Sequence, residues 1–260
     1  MKSNDKNNRL KGILDYLIEC GGASVKDIAQ HMNVSEMTAR RDLYSLKEQN
    51  LILYISGVAI YNINQARTRD DDYQLSHEQS TNNERKSRIG IKAASLIRPG
   101  DTIIIDTGST TEELARHFPD ISPCTVLCYN ANIFNYLSTH ADLNILMTGG
   151  SYHRNTQMFE CPEGISFIRR TRANMFFLSA AGISDLLGIT CVNQYEIEVK
   201  QASMHVAQQK ILLADSSKFG KIRPALFAQI SEIDTVVTDS DITPEWVEVL
   251  EQHGIEVLTC

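Results

Sequence analysis

No run of about 18 apolar residues occurs anywhere in the chain, which excludes a membrane span. The opening "MKSNDKNNRL" lacks the apolar core of an export signal, so a cytoplasmic protein is expected. The six cysteines are scattered, and only Cys124 and Cys128 are close. No His or Cys pair at zinc-finger spacing accompanies them, so reduced thiols are expected, with no metal and no cofactor. There is no Gly-Lys-Ser/Thr phosphate loop and no low-complexity tract. Positive charge is also short: the formal net charge is −7. Taken alone, that argues against nucleic acid, whose affinity for proteins rests on phosphate neutralisation.

The charge is unevenly spread. Residues 1–62 carry eight Lys/Arg against seven Asp/Glu, and the rest carry seventeen against twenty-five. The acidic body therefore says little about the head. In the head, "RLKGILDYLIEC" has Leu10, Ile13, Leu14, Leu17 and Ile18 at helical spacing, closed by Gly21 and Gly22. Ser24 can cap a second helix with Val25, Ile28 and Ala29 on its apolar face, and Ser35 can cap a third, "EMTARRDLYSLKEQ". "LILYISGVAIYN" reads as a hairpin turning near Ser56 and Gly57.

Three helices and a hairpin, with a tight turn between the last two helices, form a winged helix-turn-helix pattern. At about 100° per residue the third helix turns Ala39, Leu43 and Leu46 inward. Met37, Arg41 and Tyr44 then point outward, flanked by Thr38 and Arg40. The first turn of such a helix enters the major groove. Ser35, Met37, Thr38, Arg40, Arg41 and Tyr44 are therefore the expected DNA-contacting set. The bland alternative is that the two arginines are solvated, with Glu36 and Asp42 as local partners.

Residues 63–83 are polar, with an Asp70–Asp72 run, and read as a linker. From residue 84 to 260 short β-branched runs ("DTIIID", "CTVLCY", "LNILM", "KILLAD", "DTVVTD", "IEVLTC") alternate with helical patterns, which predicts a parallel-rich α/β sheet. Ligands bind at the carboxyl ends of such strands. The first strand ends in Asp106-Thr107-Gly108-Ser109-Thr110, an anion cradle of hydroxyls and helix-start N–H groups. Other strand ends carry Asn130, Gly149 with Gly150, and Asp215 followed by Lys218. Lys218 could reach an anion, and Asp106 or Asp215 could accept sugar hydroxyls. Together these predict a small polyol-phosphate site.

The motifs "VKDIAQHMNVSEMTARRDLYSL", "DTGSTTEELA", "AAGIS", "EIEVKQAS" and "LLADSSKFGK" resemble the DeoR family of bacterial transcription regulators over essentially the whole chain. The resemblance implies a repressor that binds operator DNA. One small winged helix buries little surface on DNA, so a homo-oligomer is expected. Its sensor domain would be related in fold to ribose-5-phosphate isomerase and the CoA-transferases, and a phosphorylated sugar would release it from DNA. It implies an effector site of Lys86, Asp106, Gly108, Ser109, Thr110, Asn130, Gly149, Gly150, Asp215 and Lys218. Glu196 and Lys200 match the family helix without an assigned role. "VLCYNANIF" and "DSSKFGKIRPA" are most similar to the deoxyribonucleoside branch, which implies deoxyribose 5-phosphate. "LYISGVAIYN" departs from the family in lacking a basic residue ahead of the wing glycine. The alternative is a sugar-phosphate isomerase carrying an extra head. The acidic Asp-Gly-Ala-Asp-Glu stretch of that enzyme has no counterpart, "SAAGISD" standing in its place.

Overall fold

A computed structural model describes residues 2–49, 51–62, 75 and 82–260. Most of the expected linker, including the Asp70–Asp72 run, lies outside the described residues. Leu75 within it is buried, and its N–H donates to the Asn155 carbonyl at 2.8 Å, so that point is held on the body.

The head runs α1 (Lys2–Cys20), β1 (Gly22–Ser24), α2 (Val25–His31), α3 (Glu36–Glu48), β2 (Ile52–Ile55) and β3 (Val58–Tyr61). Ser24 and Asp27 form a reciprocal capping box on α2, and the Ser35 hydroxyl accepts the Thr38 N–H at 3.2 Å to start α3. Ala39, Leu43 and Leu46 are buried against Ile13, Leu17 and Ile28, as the helical stripe predicts. The hairpin is joined by β1, giving an antiparallel sheet in the order β1-β3-β2.

The body continues with α4 (Asn83–Ala94), β4 (Thr102–Ile105), α5 (Ser109–Arg116), β5 (Cys124–Cys128), α6 (Ala131–Leu137) and β6 (Leu143–Met147). Then come β7 (Ser151–His153), β8 (Met158–Glu160), α7 (Pro162–Arg170), β9 (Ala173–Ser179), β10 (Gly182–Ser184) and β11 (Gly188–Cys191). The chain finishes with α8 (Glu196–Val206), β12 (Ala207–Leu213), β13 (Ala225–Ala228), β14 (Thr235–Thr238), α9 (Pro244–Gln252) and β15 (Glu256–Thr259).

Seven strands form one parallel sheet in the order β15-β14-β12-β9-β4-β5-β6. Side-chain alternation splits its core into two layers. Ile104, Leu127, Phe176, Leu178, Leu212 and Val236 face α7, α8 and α9, while Ile103, Ile105, Val126, Phe177 and Ile211 face α4, α5 and α6. The chain leaves β4 toward β5 and β6, then returns to lay β9, β12, β14 and β15 on the other side. The order therefore reverses between β4 and β9, and the crevice outside their carboxyl ends is where such sheets bind ligands.

Three features differ from the sequence reading. The helix ending in "HVAQQ" stops at Val206, because Ala207 and Gln209 pair with Ala173 and Met175 of β9. Helix α7 is hidden in the sequence by Pro162 and Gly164, which mask the spacing of Ile165 and Ile168. A separate antiparallel sheet, β10-β11-β13, is too short and glycine-rich to be read in advance. No helix among the described residues is long and apolar enough to cross a membrane.

Candidate functional site

On the head, α3 presents Met37 at 81% and Tyr44 at 56% exposure beside exposed Arg40 and Arg41. These four side chains lie on the exposed face of α3, opposite its buried stripe. Arg40 lies 3.9 Å from Glu36 with both side chains more than half exposed, a pairing too weak to hold it. Asp42 is not a surface partner for either arginine. It is buried and accepts from Arg9 Nε at 2.6 Å. Thr38 is half-buried and Ser35 is occupied as the cap.

In the body, a narrow cleft opens at the β4/β9 switch point. Its walls are Thr107, Gly108, Ser109 and Thr110 after β4, Ser179, Ala180 and Ala181 at the end of β9, and Cys191 and Val192 at the end of β11, with Glu196, Lys200 and Lys218. Gly108 is held at φ 149°, a conformation closed to other residues, and a Cβ there would lie 2.6 Å from Ser179 Oγ. It lets the start of α5 approach β9, and the first two residues of that helix, Ser109 and Thr110, line the cleft, with no side-chain cap on the helix start among the described residues.

Asp106 does not line the cleft. It is fully buried, taking the Tyr129 hydroxyl at 2.6 Å on Oδ1 and the Ser179 N–H at 2.9 Å and the Lys200 ammonium on Oδ2. In this arrangement it faces Tyr129, Ser179 and Lys200, away from the cleft lining where the sequence reading places it to accept a sugar hydroxyl. Its partner Lys200 reaches the cleft floor instead, with Glu196 Oε2 3.9 Å away. Burial opposes the Lys200 charge, but the carboxylates of Asp106 and Glu196 outweigh it and raise its pKa, so it stays an ammonium. Burial raises the Glu196 carboxyl against the opposing pull of Lys200 and Asn193.

Asp215 is also buried, behind Lys218. It accepts the Ser217 N–H at 3.0 Å and Asn82 Nδ2 at 3.3 Å. Burial pushes its carboxyl up, but the Ser217 hydroxyl and the charges of Lys218 and Lys86 prevail and leave it below the ordinary value. Asp215 thus feels the charges of Lys218 and Lys86 and lies outside the cleft lining, with its Oδ2 buried and without a hydrogen-bond partner among the described residues. Lys86 is buried beside it.

Three other expected residues stand apart. Asn130 is buried at the start of α6, and neither side-chain polar atom has a partner among the described residues. Gly149 and Gly150 are exposed in the turn between β6 and β7, at the sheet's far edge, outside the cleft walls. The reading of the sequence missed Ser179, Ala180, Ala181, Cys191 and Val192, although "FFLSAAGI" signalled a polar strand end. Among the described residues no three His, Cys, Asp or Glu side chains gather as metal ligands would, and all six cysteines are free.

Residues 9–65 match the model of the DeoR-like helix-turn-helix domain, and residues 81–240 match that of the DeoR C terminal sensor domain. The chain is 30% identical to the deoxyribose operon repressor of Escherichia coli (strain K12), over 97% of this chain and 98% of that one. It is also 30% identical to the glycerol-3-phosphate regulon repressor of the same organism, over the full length of both. Among solved structures, the sorbitol operon regulator SorC from Klebsiella pneumoniae aligns over 95% of this chain and 98% of that one, at 14% identity and a TM-score of 0.41.

Proposed function

From the premise that the chain belongs to the DeoR family of transcriptional repressors, we propose that it is released from its operator by a phosphorylated sugar, deoxyribose 5-phosphate, held in the cleft at the switch point. The observation that carries this reading is the joining of a helix start and two ammonium groups in one narrow crevice. The phosphate sits on Ser109, Thr110 and the first N–H groups of α5, with Lys218 supplying charge. The sugar hydroxyls meet Glu196 and Lys200. The methyl groups of Ala180, Ala181 and Val192 suit a sugar carbon that bears no hydroxyl.

Relatives of equal identity are named for deoxyribose and for glycerol 3-phosphate, so the family alone does not select the sugar. The isomerase alternative falls with the family assignment, since the relatives are repressors.

The head reads DNA through Met37, Arg40, Arg41 and Tyr44, with 1–62 and 84–260 as the two functional units. One winged helix buries too little surface for tight selective binding, so two or more copies act together on DNA in the cytoplasm. The test is binding to a duplex that the protein selects from a random pool, titrated with deoxyribose 5-phosphate, glycerol 3-phosphate and glucose 6-phosphate. Release by deoxyribose 5-phosphate at the lowest concentration supports the full reading. Release by another sugar keeps the sensor and replaces the effector.

A further inference from the structure

A ligand in the cleft cannot touch α3, so its effect on DNA must pass through parts that meet both. One small unit does. The sheet β10-β11-β13 walls the cleft with Cys191 at the end of β11, and Val192 follows it. The Ala181 N–H, also at the cleft, donates to the Thr190 carbonyl at 2.9 Å. The loop 218–223 runs along this sheet. It starts with Lys218 in the cleft, then the Gly220 N–H donates to the Ile183 carbonyl at 2.8 Å, and the Arg223 N–H donates to Thr190 Oγ1 at 2.9 Å. From the other side, Lys200 lies 5.0 Å over the Phe227 ring of β13, and Gln201 Nε2 donates to the Phe227 carbonyl at 3.1 Å.

The outer face of the same unit meets the head. Ile222 is buried in a cluster with Val58 and Ile60 of β3, flanked by Leu53 and Leu187. The end of α1 comes so close that a Cβ on Gly21, itself at φ 81°, would lie 2.2 Å from the Ile222 carbonyl. Only three residues therefore separate a cleft residue, Lys218, from Ile222, the residue on which the wing sits.

We propose that the β10-β11-β13 sheet with loop 218–223 is the coupling element of the repressor: ligand in the cleft shifts it, and the Ile222 seat under Val58 and Ile60 sets the direction of the head. The inference rests on the sensing function proposed above. Its physical basis is threefold. The seat buries only three side chains, so a small displacement changes how often it is made. It leaves Met37 and Tyr44 exposed, so it fixes the aim of α3 without covering it. Two heads on one operator must keep a set spacing, so a change in the aim of α3 lowers affinity without altering its contacts.

The experiment titrates the selected duplex with and without the three sugar phosphates, for wild type, Ile222→Thr on the body side and Ile60→Thr on the head side. Thermal shift with the same sugars runs in parallel, and Leu187→Thr serves as a third variant should either of the others fold poorly. Wild-type affinity for DNA should fall within the roughly 5- to 150-fold range of allosteric couplings. The variants should keep the sugar-induced thermal shift while the change in DNA affinity falls below about fivefold, the lower limit of such coupling. Variants that respond as wild type does overturn the coupling, as does an effect confined to one side of the contact or a lost thermal shift. A wild type that no sugar stabilises or releases shows instead that the sensing function is wrong, and the coupling goes with it.

Discussion

The Lys200 ammonium rests on Asp106 Oδ2 beneath the cleft, with neither side chain more than 1% exposed. The residues lie 94 positions apart, one after β4 and one on α8, so the ion pair ties the two halves of the switch point together. A buried pair of this kind adds little net stability over an apolar pair, but breaking one side is expensive. Lys200→Met would leave the carboxylates of Asp106 and Glu196 buried without their cation. The expected loss is about 3–5 kcal/mol. At about 2–4 °C per kcal/mol for a chain of this size, the melting temperature should fall by roughly 10 °C. Adding Asp106→Asn should recover part of that loss. Calorimetry on the single and double variants measures the coupling, and additive losses would contradict it.

Glu196 allows a test in pH. Its folded pKa is raised by burial, so its contribution to stability is fully present below its unfolded value and is lost as pH rises through the folded one. Glu196→Gln keeps an acceptor for the Asn193 N–H and side-chain amide, now at 3.1 and 2.8 Å, and cannot ionise. The variant should therefore be at least as stable as wild type at pH 7. Wild type should regain ground as pH falls toward about 4, the ordinary glutamate range. Asp215 has the opposite sign, since its lowered pKa gives stability that is lost as pH falls, but it is common to both proteins and cancels in the difference. Urea unfolding at pH 7 and 4 gives the comparison.

The head and the strand–helix alternation of the body were legible because both depend on local periodicity. Ala39, Leu43 and Leu46 share one stripe, and "DTIIID" needs no distant partner to be a buried strand. The roles of the acids were not legible. A carboxylate at a strand end looks the same whether it faces a ligand or a lysine, and Asp106 faces Lys200 only because β4 and α8 meet across the switch point. Gly149 and Gly150 were drawn to the site by their strand end, while the order of the sheet sends β6 to its edge. The seat on Ile222 joins residues more than 160 positions apart and leaves no periodic trace.

Arg40 and Arg41 are both exposed, and α3 is held from its other face, so Arg40→Ala with Arg41→Ala should leave the melting temperature unchanged. Operator binding should weaken by about 1–3 kcal/mol for each arginine that reads a base. If either contacts phosphate instead, the loss should be uniform across sequences, and the salt dependence should drop by about one charge per residue. Arg9→Ala is the contrasting control. It strands Asp42 in the head core, so it should lower stability while leaving the recognition face intact.

Gly108 and Lys218 separate the anion cradle from the DNA-binding head. Gly108→Ala would force a Cβ to within 2.6 Å of Ser179 Oγ at a backbone angle that side chains avoid, a strain of about 1–3 kcal/mol at the mouth of the site. Lys218→Ala removes a charge from the cleft wall without touching the core, since Lys218 is half-exposed. Both variants should bind the selected duplex as wild type does, because neither lies on the head. Both should need more sugar phosphate for release, since a ligand shifts an equilibrium only by its difference in affinity for the two states. A loss of about 1.5–3 kcal/mol from one charge-assisted bond corresponds to roughly ten- to hundredfold weaker response for Lys218→Ala. Release of both variants at the wild-type sugar concentration would move the phosphate site away from the start of α5.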